Sequence, residues 1–152
     1  MFFKRFVIFC ATGAYSGYFP KAPGTAGTLL GIPLLLLLTR FDYQARTGLL
    51  LLLFCFAVWI SSEAARMMGA KDPSSIVIDE IVGFLVASFF MPVTVLNILF
   101  IFLLFRFFDI VKPFPVGNVD RGLGGGFGIV LDDVVAGIYG AVVFALVALP
   151  FS

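Results

Sequence analysis

Residues 81–105 read IVGFLVASFFMPVTVLNILFIFLLF, twenty-five positions without a charge and with Pro92 near the middle. Asp79-Glu80 stands immediately before this run and Arg106 immediately after it. A single helix of this length spans a bilayer, whose hydrocarbon core needs about 20 apolar residues. Such a helix would leave Asp79 and Arg106 roughly 40 Å apart at 1.5 Å per residue. A proline removes a backbone donor and interrupts a helix, so the same run also reads as a helical hairpin turning at Pro92.

The charge distribution decides between the two. Three further windows are uncharged: Ala22–Thr39, Thr47–Ser62 and Val134–Ser152. In the single-span reading the cations divide evenly between the two sides of a membrane. In the hairpin reading Lys4, Arg5, Lys21, Arg66, Lys71, Arg106, Lys112 and Arg121 share one side, and only Arg40 and Arg46 lie on the other. Cytoplasmic loops carry the excess of Lys and Arg, so the hairpin gives an orientation and the single span gives none. Each arm has about 12 uncharged residues, or ~18 Å of helix, against a core of ~30 Å. The hairpin is therefore expected to be partly re-entrant.

Composition agrees with a membrane protein. Of 152 residues, 61% are hydrophobic, 16% aromatic and 12% charged, against about 45–50% apolar and about 25% charged in soluble domains. Mean hydropathy is +1.12. The expected fold is all-α: one polytopic domain over residues 1–152, with four to five membrane-embedded helices. The segment Lys4-Arg5-Phe6 to Ala11 is expected as an interfacial helix rather than a cleaved signal, because its apolar stretch is short. A net charge of +1 gives no basic excess for nucleic acid.

The polar residues gather at the ends of the apolar runs. Asp79, Glu80, Asp109, Asp132 and Asp133 form a candidate catalytic and metal-binding set. Lys21, Thr25, Arg106 and Lys112 form a candidate phosphate-binding set. In the hairpin reading all nine lie on one side. Crowded carboxylates repel one another and favour protonation, which a divalent cation relieves. With no histidine in the chain, and Cys10 and Cys55 both inside apolar runs, the ligands are oxygens and the ion is Mg²⁺ or Mn²⁺. Arg and Lys beside such an ion suit a phosphate ester. Gly122–Gly128 holds five glycines in seven residues and offers backbone N–H groups to an anion. Thr25 or Thr28, near the head of the first run, offers another donor. A transporter or channel is the alternative, but it predicts charges near the membrane midplane, and the middle of every run is uncharged.

Four blocks carry a resemblance. They are Pro23-Gly24-Thr25-Ala26-Gly27-Thr28, Asp79-Glu80-Ile81-Val82-Gly83, Arg106-Phe107-Phe108-Asp109-Ile110-Val111-Lys112-Pro113-Phe114-Pro115, and Gly128 to Gly137 with Asp132-Asp133 at its centre. In this order they resemble the phosphatidylglycerophosphatase A family. The resemblance implies a Mg²⁺-dependent lipid phosphatase of the bacterial inner membrane, with its active site on the cytoplasmic face. Its substrate would be phosphatidylglycerophosphate and its product phosphatidylglycerol. It also implies roles for Thr25, Asp79, Glu80, Arg106, Asp109, Lys112, Asp132 and Asp133. Other phosphatase chemistries are excluded by absence. There is no histidine nucleophile, no Cys-x5-Arg and no Asp-x-Asp-x-Thr/Val.

Overall fold

A computed structural model describes residues 2–114 and 125–148. Among the described residues six α-helices occur in the order α1 (Phe2–Ala11), α2 (Pro23–Leu38), α3 (Tyr43–Met68), α4 (Ile78–Ala87), α5 (Val95–Val111) and α6 (Gly125–Ala148), and a 3₁₀ turn at Ser16–Tyr18 precedes α2. No strand occurs among the described residues.

The helix ends follow local chemistry. Pro23 opens α2 at a first-turn position, where its missing N–H costs nothing. Asp42 caps α3 by accepting from the Ala45 N–H at 2.8 Å, and Gly69 closes that helix at φ +70°. The third apolar run breaks over 88–94. Ser88 donates its hydroxyl to Phe84 O at 2.8 Å, and Thr94 caps α5 by accepting from the Asn97 N–H. Asn97 Nδ2 also donates to Pro92 O at 2.8 Å, which ties the turn to the new helix. The hairpin expected at Pro92 is thus present.

Among the described residues two helices are long and apolar enough to cross a bilayer, α3 with 26 residues and α6 with 24, fewer than the four to five membrane-embedded helices expected. The reason lies in where the other runs stop. α2 ends after 16 residues, and the hairpin divides the third run into helices of 10 and 17. The outer surface is nonetheless apolar along these shorter helices. Leu96 on α5 is 77% exposed and Leu37 on α2 is 57% exposed, an arrangement that water disfavours and acyl chains accept.

The core joins α4 to every neighbour, and its contact with α6 is the closest. A Cβ on Gly83 would run into Asp133 O and the Phe105 ring, and a Cβ on Gly137 would strike Gly83 O. Small residues at a helix crossing let the backbones approach. Gly83 lies one turn after Asp79 and Gly137 one turn after Asp133. The crossing therefore brings these two acids together. At the closed end of the hairpin, Arg46 of α3 donates to Phe89 O at 3.2 Å, with its guanidinium 5.1 Å from the Tyr43 ring centroid.

Candidate active site

The open end of the hairpin encloses a cavity of about 400 Å³. It is lined by Lys21, Thr25, Asp79, Glu80, Arg106, Asp109, Lys112, Asp132 and Asp133. The five candidate acids and the four candidate phosphate-binding residues thus line one space, although they come from four separate segments. Pro23 and Gly24 in the first turn of α2 form one wall. α4 contributes Asp79 and Glu80 from its first turn, and α5 contributes Arg106 and Asp109 from its last. Lys112 follows α5 in the left-handed conformation, at φ +44°. Asp132 and Asp133 sit two turns inside α6.

Three carboxylates form the floor. Asp79 and Asp133 are 8% and 3% exposed. One oxygen from each of Asp79, Glu80 and Asp133 lies within 4.8 Å of the others. Asp79 Oδ1, Glu80 Oε2 and Asp133 Oδ2 are buried and have no hydrogen-bond partner among the described residues. Ligand oxygens around an octahedral ion at ~2.1 Å stand about 3–4.2 Å apart, close to this spread. An all-oxygen donor set of three acids, each with an unpartnered buried oxygen, fits a hard divalent cation such as Mg²⁺.

The other two predicted acids are engaged differently. Asp109 Oδ2 lies 2.6 Å from Arg106 Nη1, and Asp132 pairs with Lys112. The same guanidinium nitrogen stands 3.9 Å from Glu80 Oε1. Gly24 lets both side chains approach the α2 backbone, because a Cβ there would displace the ends of Glu80 and Arg106. Six carboxylates and three cations line the cavity among the described residues, counting Asp72.

Burial of these acids changes their protonation. α4 is too short to span a bilayer, and both of its acids lie in its first turn. Burial pushes the Glu80 carboxyl up to about 8, and the charges of Asp133 and Asp109 add to the rise. Asp79 is pushed well above the usual carboxylate range, first by burial and then by the neighbouring Glu80. A bound cation would reverse this pressure.

Two details differ from the sequence expectation. Thr28 is buried and donates its hydroxyl to Gly24 O at 2.8 Å, so of the two threonines only Thr25 lines the cavity. Gly125–Gly128 forms the first turn of α6, and the Gly126 N–H donates to Ser62 Oγ of α3 at 2.9 Å. That N–H is therefore taken up by a helix contact rather than offered to an anion. Arg121, Gly122 and Gly124 lie outside the described residues. Asp72 and Ser74 also line the cavity and were missed from sequence. The Lys71-Asp72-Pro73 turn was their only local signal, because they sit in a connecting loop rather than at the end of an apolar run.

Comparison with known proteins adds a family. Residues 9–148 match the family described as Phosphatidylglycerophosphatase A. A Haemophilus influenzae protein named Phosphatidylglycerophosphatase A is 45% identical over 142 residues, covering 90% of this chain and 85% of its own length. An Escherichia coli protein of the same name is 36% identical over 132 residues, covering 86% and 77%. A Bacteroides thetaiotaomicron protein, whose name proposes a phosphatidylinositol-3-phosphatase, is 37% identical over 147 residues and covers 91% of each chain. No solved structure matches.

Proposed function

This chain belongs to the phosphatidylglycerophosphatase A family, and we propose that it hydrolyses the terminal phosphate monoester of phosphatidylglycerophosphate at the cytoplasmic face of a bacterial inner membrane. The products are phosphatidylglycerol and inorganic phosphate. The observation that carries this reading is the convergence of three unpartnered carboxylate oxygens with Lys21, Arg106 and Lys112 in one cavity.

Asp79, Glu80 and Asp133 are the residues that would hold Mg²⁺. When bound, the ion would supply Lewis-acid polarisation of the phosphoryl group and lower the pKa of a coordinated water. The chain's own residues do the rest. Arg106, held by Asp109, presents a fixed fork to phosphoryl oxygens. Lys112, held by Asp132, places a point charge on the same group, and Lys21 stands at the rim. Thr25 and the uncapped first turn of α2 offer hydroxyl and N–H donors to the phosphate. Cations fixed before the substrate arrives stabilise charge as it moves onto the leaving oxygen and cost no reorganisation.

Lipid chemistry explains the setting. The acyl chains stay in the bilayer while the phosphorylated head group enters a polar cavity at its edge. α3 and α6 are read as spans, with α2 and the α4–α5 hairpin embedded between them. The cavity end carries the excess of Lys and Arg, which supports a cytoplasmic orientation. Phosphate release from phosphatidylglycerophosphate by the purified chain in detergent tests the reading. Release with Mg²⁺ and none with EDTA is expected. No release under any divalent ion, from folded protein, contradicts it.

A further inference from the structure

α1 lies outside the carboxylate cavity and takes no part in the chemistry proposed above. Val7 and Ala11 are buried in the core, while Phe2, Phe3, Phe6 and Phe9 are exposed. The chain leaves this helix through a tight turn. Thr12 donates its hydroxyl to Ile8 O at 2.7 Å and accepts from the Tyr15 N–H at 3.2 Å, and the Val77 N–H donates to Ala11 O at 2.9 Å. Gly13, Ala14 and Tyr15 all have positive φ, at +52°, +52° and +69°. Two of these residues carry a Cβ, so the turn is held in a conformation that L-residues rarely adopt.

That turn folds Tyr15 back over α1. Its ring meets Phe9 edge-on at 5.5 Å and stacks with Tyr18 at 6.3 Å. Tyr15 thereby closes a separate cavity of about 260 Å³ with Lys4, Arg5 and Ile8. The space is lined mainly by side-chain carbon of Lys4, Arg5, Ile8 and Tyr15, and no carboxylate lines it among the described residues; the two cationic side chains flank it. Lys4 and Arg5 make no ion pair or hydrogen bond among the described residues. In the larger cavity, by contrast, Arg106 and Lys112 each have an acidic partner.

We propose that this second cavity binds the phosphate of an anionic bilayer phospholipid. A phosphodiester accepts a forked pair of donors from Arg5, one from Lys4 and one from the Tyr15 hydroxyl. The exposed phenylalanines beside it supply the surface that acyl chains and the interface cover. Charge complementarity selects an anionic over a zwitterionic lipid. The aromatic surround selects a lipid over a soluble anion.

Trp59 provides the reporter. It is the single tryptophan of the chain, and its ring lies 6.4 Å from that of Phe3 on α1. The full chain is reconstituted in phosphatidylcholine vesicles containing a small fraction of lipid with brominated acyl chains, either phosphatidylglycerol or phosphatidylcholine. Brominated phosphatidylglycerol should quench Trp59 at a roughly thirtyfold lower mole fraction than brominated phosphatidylcholine, given two juxtamembrane cations. The preference should disappear in the doubly substituted Lys4→Gln, Arg5→Gln chain and weaken in Tyr15→Phe. It should persist in Arg106→Ala, which separates this site from the carboxylate cavity. Lys4 and Arg5 are exposed, so their substitution leaves the core intact. Equal quenching by the two lipids, or a preference that survives the double substitution, overturns the proposal. The readout needs no hydrolysis, so it fails independently of the proposed activity.

Discussion

The guanidinium of Arg106 stands 3.9 Å from the carboxylate of Glu80, although the two residues bracket the 25-residue uncharged run. Only a chain that reverses between them permits this. The reversal places the last turn of α5 against the first turn of α4, and the wall formed by Gly24 closes over both. Replacing Arg106 with Ala removes a preorganised donor to the phosphoryl group and should lower kcat by roughly 10²–10³. Arg106→Lys keeps the charge and loses the fork, and should recover only part of that loss. Steady-state phosphate release by the two variants checks the order.

The α4–α6 crossing sets the position of the acids, so its glycines should be intolerant of size. Leu at Gly83 or Gly137 forces the backbones apart. Overpacking typically costs ~1–3 kcal/mol, and here it also separates Asp79 from Asp133. Both variants should melt earlier in detergent and lose activity beyond what their stability explains. Leu at Gly48, whose Cβ would meet nothing within 4 Å, is the control and should leave both properties unchanged.

Asp132 and Asp133 are neighbours in sequence with different surroundings. Asp133 contributes to the unpartnered oxygen cluster, while Asp132 pairs with Lys112. Asp133→Asn should raise the Mg²⁺ concentration needed for half-maximal activity. Asp132→Asn should leave that requirement near the native value and raise KM by loosening Lys112. Mg²⁺ titrations at several substrate concentrations distinguish the two effects.

Glu80 binds its proton up to about pH 8 in the folded chain, against 4.5 for the ordinary group. The folded state then holds more protons than the unfolded state across this window, so stability falls as pH rises through it. In EDTA, the chain should melt at a lower temperature at pH 8 than at pH 6. Binding of Mg²⁺ displaces these protons, so saturating Mg²⁺ should restore more stability at pH 8 than at pH 6. Melting curves at the two pH values, with and without the ion, test the sign.

The hairpin and the nine cavity residues were legible in the sequence because charge is so scarce. Every ionisable group outside an apolar run is conspicuous, and Pro92 together with the distribution of Lys and Arg selects the turn. Helix rotation was not legible. Asp132 and Asp133 differ by about 100° around α6, and only the contact with Gly83 decides which one faces the floor. Two helices are long enough to span, fewer than the four to five membrane-embedded helices expected, because an apolar run records composition and not where a helix stops. α4 ends at Ala87, several residues before Pro92. Asp72 and Ser74 sit in a loop with no periodic signal, and they reach the cavity only through the packing of their neighbours.

The central claim is that acids from α4 and α6 form one metal-dependent centre for phosphate release. The most direct measurement follows phosphate release from phosphatidylglycerophosphate by the purified native chain, Asp79→Asn and Asp133→Asn across a Mg²⁺ titration. The account predicts Mg²⁺-dependent release by the native chain and loss in each variant, with both variants retaining native helicity. Native-like release by either folded variant, or release by the native chain in EDTA, would contradict it.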